Sequence, residues 1–307
     1  MAQPAGSRNE ITPWQVLFKL ELRAELSSLA LTRSMEFPKS HIHHPQAPHT
    51  HTVILLHGRG SDGPEFAEEL FSSSTSNNKN LHSCLPSYRW VFPTSRDRWS
   101  TTFEEEMCAW FDAYSVNNIH ERQELQKDGI RESVLHILDI LEEEARLLDG
   151  RFSHIYLGGM SQGMATALWA FFAATAGRIQ GPLGGLLGLC GWLPFAQQLE
   201  QLLSDPSSTP GSSQAQNLIS GFFFDEIAGE RSGSNQAMDS SILSTPVFLS
   251  HGSDDPWVSV ELGRQAAHVL RRIMLRVDWQ EFTGAEGDGH WIKEPEGFDC
   301  ILHFLGG

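Results

Sequence analysis

Basic residues are scarce in this chain: 22 lysines and arginines stand against 38 aspartates and glutamates over 307 residues, a formal charge of −16. Without a local basic patch such a surface repels phosphate backbones and anionic bilayers, so no nucleic-acid partner is expected. Cysteine is scarce too. Cys84, Cys108, Cys190 and Cys300 are scattered without a C-x-x-C pair, and Glu10, Lys19, Glu21 and Arg23 interrupt the region where a signal peptide needs an unbroken apolar core. Both absences point to a reducing, cytoplasmic setting. Long apolar runs are also missing. The longest, from Met164, ends at Gly177-Arg178, short of the roughly 20 residues of a spanning helix, so no integral membrane association is expected.

What the chain does have is an alternation of short apolar runs with amphipathic helices, the pattern of an α/β fold with a mostly parallel central sheet covered on both faces. Strands are expected at Val53 to Leu56, Arg89 to Phe92, His154 to Gly158, Gly185 to Leu189, Pro246 to Ser250 and Leu275 to Phe282. Ile130, Val134, Ile137, Leu138, Leu141, Ala145 and Leu148 recur at helical spacing, and Gly150 ends that helix. Further helices are expected over Met164 to Ala176, Glu261 to Ile273 and Gly297 to Leu305.

Two segments stand apart, and residues 51–307 are expected to form the α/β domain. Residues 1–50 read as an extension: a helix with Thr12 as N-cap and Trp14, Phe18, Leu22, Leu26 and Leu29 along one side, then a Pro- and His-rich linker. His41, His43, His44, His49, His51 and His57 share no ligand spacing with a carboxylate or cysteine, so a solvated linker is expected rather than a metal site. Residues 196–244 form an insert rich in Ser, Gly, Gln and Asn, too polar over most of its length to order itself. Its apolar island, with Phe222, Phe223 and Phe224, either tucks into the core or caps the active site. Ser72 to Asn80 reads as a surface loop.

Gly159-Met160-Ser161-Gln162-Gly163 is a G-x-S-x-G pentapeptide between a strand and a helix. There a serine sits on a sharp turn that only small neighbours at minus two and plus two allow, which makes Ser161 a candidate nucleophile. A serine hydroxyl needs a base, and His290 follows the last expected strand in the turn Gly287-Asp288-Gly289. The base needs a carboxylate, and Asp254 and Asp255 both follow the strand Pro246 to Ser250. The order Ser, Asp, His is that of the α/β-hydrolases. Donors for a developing oxyanion are available from the backbone N–H of Gln162 and from the loop His57-Gly58-Arg59-Gly60 after the first strand. That loop lacks the lysine and the glycine spacing of a phosphate-binding loop.

Taken with Phe92-Pro93-Thr94, Trp110-Phe111-Asp112, Trp192-Leu193-Pro194 and His251-Gly252-Ser253-Asp254-Asp255-Pro256, these motifs resemble the phospholipase/carboxylesterase family of α/β-hydrolases, which includes acyl-protein thioesterases. The resemblance covers residues 52–305 apart from the insert. It implies Asp255, next to Pro256, as the triad acid with Ser161 and His290, and Arg59 as the second oxyanion donor through its N–H. Family thioesterases often carry an apolar residue there; an arginine places a cation near the acyl pocket, unless it points to solvent or pairs with Asp62. Trp110, Phe111 and Trp192 are implied pocket lining, and Asp112 a hydrogen-bonding support. The implied function is a serine esterase or thioesterase that cleaves a small-molecule or protein-linked acyl ester or thioester with no metal or organic cofactor. An acyltransferase or cyclase would use the same residues, and a non-catalytic binding protein on the fold is disfavoured by their presence. An interaction module at the N-terminal helix is compatible with any of these.

Overall fold

The computed structural model describes residues 36–115, 118–175, 179–204, 218–219, 221–228, 240–273 and 276–306. Chain contacts divide the protein after Phe37, and Pro38–Gly307 is one compact unit. Its strands are β1 (His41–His43), β2 (His51–Leu56), β3 (Tyr88–Phe92), β4 (Arg96–Ser100), β5 (Glu105–Ala109), β6 (Ile155–Met160), β7 (Gly185–Leu189), β8 (Val247–Gly252) and β9 (Val277–Phe282). Seven of them form one sheet in the order β1-β3-β2-β6-β7-β8-β9, and β4 and β5 form a separate antiparallel ribbon. Only β1 runs antiparallel in the main sheet, against β3. The central strands β6, β7 and β8 are buried throughout, the signature of parallel strands covered on both faces.

Successive side chains of a strand point to opposite faces. Val53 and Leu55 of β2 join Trp90, Phe92, Tyr156, Leu187 and Phe248 under helices α1 (Gly63–Ser72), α2 (Leu81–Cys84) and α7 (Glu296–Gly306). Elsewhere the sheet is covered by α3 (Gln126–Leu147), α4 (Gln162–Ala174), α5 (Ala196–Leu203) and α6 (Val260–Arg272). Ile130, Val134, Ile137, Leu138, Leu141 and Ala145 are all buried along α3. Each large aliphatic among them stabilises the fold by about 1.5–3 kcal/mol relative to exposure. The same helix buries Glu144, a charge that burial would penalise were it not paired. Arg89 Nε lies 3.0 Å from its carboxylate and Thr52 Oγ1 donates to it at 3.1 Å. The phenols of Tyr88 and Tyr156 both donate to the Leu305 carbonyl, at 2.6 and 3.1 Å, which ties the end of α7 to the sheet.

The compact unit starts ahead of the expected boundary at residue 50. His41–His43 is a strand of the sheet rather than a solvated linker, because its backbone continues the ladder on the free edge of β3. The expected helix from Thr12 lies outside the described residues. In the insert, Ala196–Leu203 is helical with Leu199 and Leu203 buried. Phe223 is also buried, and it and Phe222 each pack 5.9 Å from Trp169. This part of the island is therefore core; the side chain of Phe224 and residues 205–217 and 229–239 lie outside the described residues. Ser72 to Asn80 is less exposed than expected, since Thr75 is buried and the Ser74 N–H donates to Glu294 Oε1 at 2.8 Å. Among the described residues no helix is long and apolar enough to cross a membrane.

The β6–β7 ladder depends on a glycine. Gly158 pairs with Leu187, and a Cβ at position 158 would stand 2.2 Å from the Leu187 carbonyl oxygen. Gly158→Ala is expected to lower unfolding free energy by about 3 kcal/mol, the upper range for overpacking. Urea unfolding measures this, and a loss below about 1 kcal/mol would contradict the packing described.

Candidate active site

At the C-terminal end of β6 the chain turns into α4 through Ser161, whose backbone stands at φ 54° and ψ −118°. Positive φ in a non-glycine residue costs of order 1–3 kcal/mol and persists only where the surroundings enforce it. Here they do. The Ser161 N–H donates to Leu189 O of β7 at 2.8 Å. A Cβ on Gly159 would lie 2.5 Å from the Gly163 carbonyl carbon, and one on Gly163 would lie 2.2 Å from Leu56 O. Both glycines of the pentapeptide are thus required by close backbone approach.

Gln162 opens α4, so its N–H is one of the donors that a helix start leaves without an intrahelical acceptor. Its buried side chain faces the other way: Oε1 accepts from the Trp110 N–H at 2.9 Å and Nε2 donates to Phe111 O at 2.7 Å. The loop after β2 lies against this turn, a Cβ on Gly58 being 3.6 Å from Ser161 Cβ. His57 holds the loop. Its Nε2 accepts from the Ser95 N–H at 3.0 Å, so the ring hydrogen is on Nδ1, which donates to Gly58 O at 2.6 Å. Burial pushes its pKa down to about 4, against the smaller opposing effects of that bond and of Asp62. The indole N–H of Trp110 donates to His57 O at 2.9 Å, and Gly60 N–H to Cys108 O at 2.8 Å. Between them, the Arg59 N–H forms no bond among the described residues. The Arg59 guanidinium neither points to solvent nor pairs with Asp62. It donates to Ala113 O at 3.2 Å and sits 4.8 Å from the centre of the Phe103 ring, while Asp62 caps α1 through the Glu65 N–H.

Beyond β8, Asp255 receives a donor at every side. Oδ1 accepts from the N–H groups of Trp257 and Val258 at 2.9 and 3.0 Å. Oδ2 accepts from His290 Nδ1 at 2.6 Å and lies 3.3 Å from His251 Nε2. Burial raises the pKa of this carboxyl, but the hydrogen bonds from His251, His290 and Val258 outweigh it and hold the group well below the usual carboxylate range. An ionised acceptor places the His290 hydrogen on Nδ1 and leaves Nε2 free to take a proton. His290 follows the turn Gly287–Gly289, where Asp288 has φ 56° and Gly289 φ 91°. Asp254 does not meet the imidazole; its Oδ2 accepts from the Gly284 N–H at 2.7 Å and so fastens the loop that carries it.

Ser161, His290, Arg59, Gln162 and Trp192 line one cavity of about 490 Å³. Trp110 and Phe111, expected in its wall, do not reach it. Both are fully buried behind the turn, where they brace Gln162 and His57. The apolar wall is supplied instead by Phe66, Met160, Trp257, Val258 and Trp291. None of these was read as cavity lining, although Met160 stands within the pentapeptide and Trp257 and Trp291 beside the segments of Asp255 and His290, an adjacency that was a usable signal. Asp112 accepts from Thr101, through its N–H at 3.1 Å and its hydroxyl. Among the described residues the one His, Cys, Asp or Glu group close enough to share a metal ion is Cys190, Asp255 and His290. The last two are already bonded to each other, and burial pushes the Cys190 thiol up to about 12.

Comparison with known proteins follows the same lines. The sequence pattern described as phospholipase/carboxylesterase matches residues 38–210. Acyl-protein thioesterase 1 of Schizosaccharomyces pombe is 30% identical over 262 residues, covering 85% of this chain and 92% of that protein. Its counterpart of Yarrowia lipolytica is 26% identical over 245 residues, 78% and 85% of the two chains. Among solved structures, Zea mays acyl-protein thioesterase 2 superposes with a TM-score of 0.59 at 22% identity, covering 87% of this chain and 97% of that one. Esterase PE8 does so with 0.58 at 18% identity, over 88% and 98%. At these identities the structural likeness speaks for the α/β-hydrolase fold alone. The family pattern spans more than half of the sequence, and the chain belongs to the phospholipase/carboxylesterase family.

Proposed function

We propose that the protein is a serine hydrolase that cleaves carboxylic esters or thioesters through an acyl-serine intermediate, with Ser161, His290 and Asp255 as its triad. One observation carries this reading: a serine held at positive φ opens on the same cavity as an imidazole whose Nδ1 is bound to a buried carboxylate. In the first half-reaction Ser161 Oγ attacks the carbonyl carbon while His290 Nε2 takes the hydroxyl proton. The N–H groups of Gln162 and Arg59 receive the oxyanion. His290 returns the proton to the leaving alcohol or thiol as its bond to carbon breaks. Water then attacks the acyl-serine as His290 Nε2 takes its proton; the bond from carbon to Ser161 Oγ breaks, His290 returns the proton to Oγ, and the acid departs. Asp255 remains ionised throughout and stabilises the imidazolium.

The apolar wall of Phe66, Met160, Trp192, Trp257 and Trp291 supports an acyl group in the cavity. The relatives' name supports thioesters of acylated proteins as the substrate class. Free thiols at Cys84, Cys108, Cys190 and Cys300 suit a reducing, cytoplasmic setting.

A fluorophosphonate probe is expected to label the protein, and Ser161→Ala to abolish the label; labelling that survives the substitution removes Ser161 from the mechanism. Asp255→Asn is expected to lower kcat for a p-nitrophenyl ester by about 10⁴-fold, because it imposes the wrong imidazole tautomer. Asp254→Asn keeps a carbonyl acceptor for the Gly284 N–H and should lower kcat less than about tenfold. The reverse order in steady-state kinetics would exchange the two roles.

A further inference from the structure

His251 is fully buried at the end of β8, where its backbone pairs with Glu281 of β9. Its Nε2 faces two acceptors, Val258 O at 2.8 Å and Asp255 Oδ2 at 3.3 Å, so the ring hydrogen is on Nε2 and is shared between them. The N–H of the same Val258 donates to Asp255 Oδ1 at 3.0 Å. Ring, carboxylate and peptide thus close a hydrogen-bonded loop around the turn from Asp255 to Val258, which carries both the acid and one wall of the cavity.

This arrangement is costly to the fold in two places. Nδ1 is buried with no hydrogen-bond partner among the described residues, a penalty that an apolar side chain at this position would avoid. The ring also needs a gap in α6. A Cβ on Gly263 would lie 2.6 Å from His251 Nδ1 and 2.6 Å from Trp279 Cη2, so the helix carries glycine in its interior, where alanine is favoured. Trp279 closes the other side, 6.3 Å between ring centres. An apolar residue selected for packing alone would avoid the unpaired nitrogen. What the imidazole supplies, and an apolar side chain cannot, is a donor at the Nε2 position.

We infer that His251 is a positioning residue for the reaction: it holds Asp255 Oδ2 in line with His290 Nδ1 by pinning the carboxylate and the Val258 peptide together. The inference rests on the hydrolase reading above. His251 does not line the cavity, so it acts through Asp255 and the Val258 peptide. His290 supplies one donor to Oδ2 and His251 the second. Removing the second frees the carboxylate to rotate about its Oδ1 bonds and lengthens the bond to the base.

The test compares His251→Gln, His251→Asn and His251→Leu in the full chain. A glutamine amide reaches the place of Nε2, whereas an asparagine amide reaches only that of Nδ1. Each variant is assayed with a neutral p-nitrophenyl ester and by proton NMR of the low-field resonance of the His290 Nδ1 hydrogen. Asparagine and leucine are expected to lower kcat by about 10²-fold with KM within about threefold, the size expected for a displaced catalytic group. Both should shift the resonance upfield, and glutamine should stay near wild type in both measures. Leucine with wild-type kcat overturns the inference. So do glutamine and asparagine variants that fall together, or that fail together to fold, since His251 would then serve stability alone. A wild-type chain that neither turns over ester nor takes the fluorophosphonate label removes the hydrolase reading instead. The resonance requires no turnover and then decides the placement of Asp255: an unchanged resonance in the asparagine and leucine variants refutes it, and a shift that glutamine prevents supports it.

Discussion

The turn at Ser161 is the constraint from which the rest of the site follows. A positive φ at a residue with a Cβ is unfavourable by itself, and the chain maintains it by letting two backbones approach more closely than side chains allow. Gly159 and Gly163 sit where any Cβ would strike the neighbouring main chain, and Leu189 O of the adjacent parallel strand takes the serine N–H. The turn therefore depends on β2 and β7 flanking β6 in register. It projects the side chain from the carboxyl edge of the sheet, where parallel α/β proteins place their ligand sites, and it presents the unpaired start of α4 to the same space. The placement of the Ser161 side chain and that of the Gln162 N–H are thus two consequences of one backbone geometry.

Electrostatic order is set from the opposite side. Asp255 is a fully buried carboxylate in a protein with excess negative charge, a position tolerated only because donors surround it. The turn after β8 supplies two of them from its own backbone, at Trp257 and Val258; the loop after β9 supplies His290, and β8 itself supplies His251. Two segments distant in sequence, residues 251–258 and the loop of His290, meet at one carboxylate because β8 and β9 end on the same edge. His57 occupies a comparable post in the loop after β2, where burial keeps it uncharged and its two nitrogens join Ser95 to Gly58.

Much of this was legible in the sequence, for physical reasons that also explain what was not. Central parallel strands are apolar on both faces, so β2, β3, β6, β7 and β8 announce themselves as unbroken runs. The ribbon of β4 and β5 was missed because Arg96–Ser100 is mostly polar and Glu105–Ala109 passes from charged to apolar without alternating in polarity. β1 was hidden by histidines and nearby prolines, and its strand state depends on the free edge of β3, which no local pattern reveals. Ser161, Asp255 and His290 were read from short motifs whose glycines report backbone demands. Trp110 and Phe111 were assigned to the cavity because their motif accompanies the site, yet their task is to hold Gln162 and His57 from behind. A motif marks residues near a site without saying which surface they face. The burial of the His251 ring depends on Gly263 and Trp279, and only the packed structure brings these together.

The claim that binds these parts is that Ser161 becomes covalently acylated during turnover. Rapid acid quench of the protein mixed with an excess of a p-nitrophenyl ester, followed by intact-mass and peptide mass spectrometry, reads this directly. The account predicts a mass increase equal to one acyl group, located on Ser161 within the peptide that contains Gly159 to Gly163. Hydrolysis that proceeds with no adduct, or with the adduct on another residue, would contradict it.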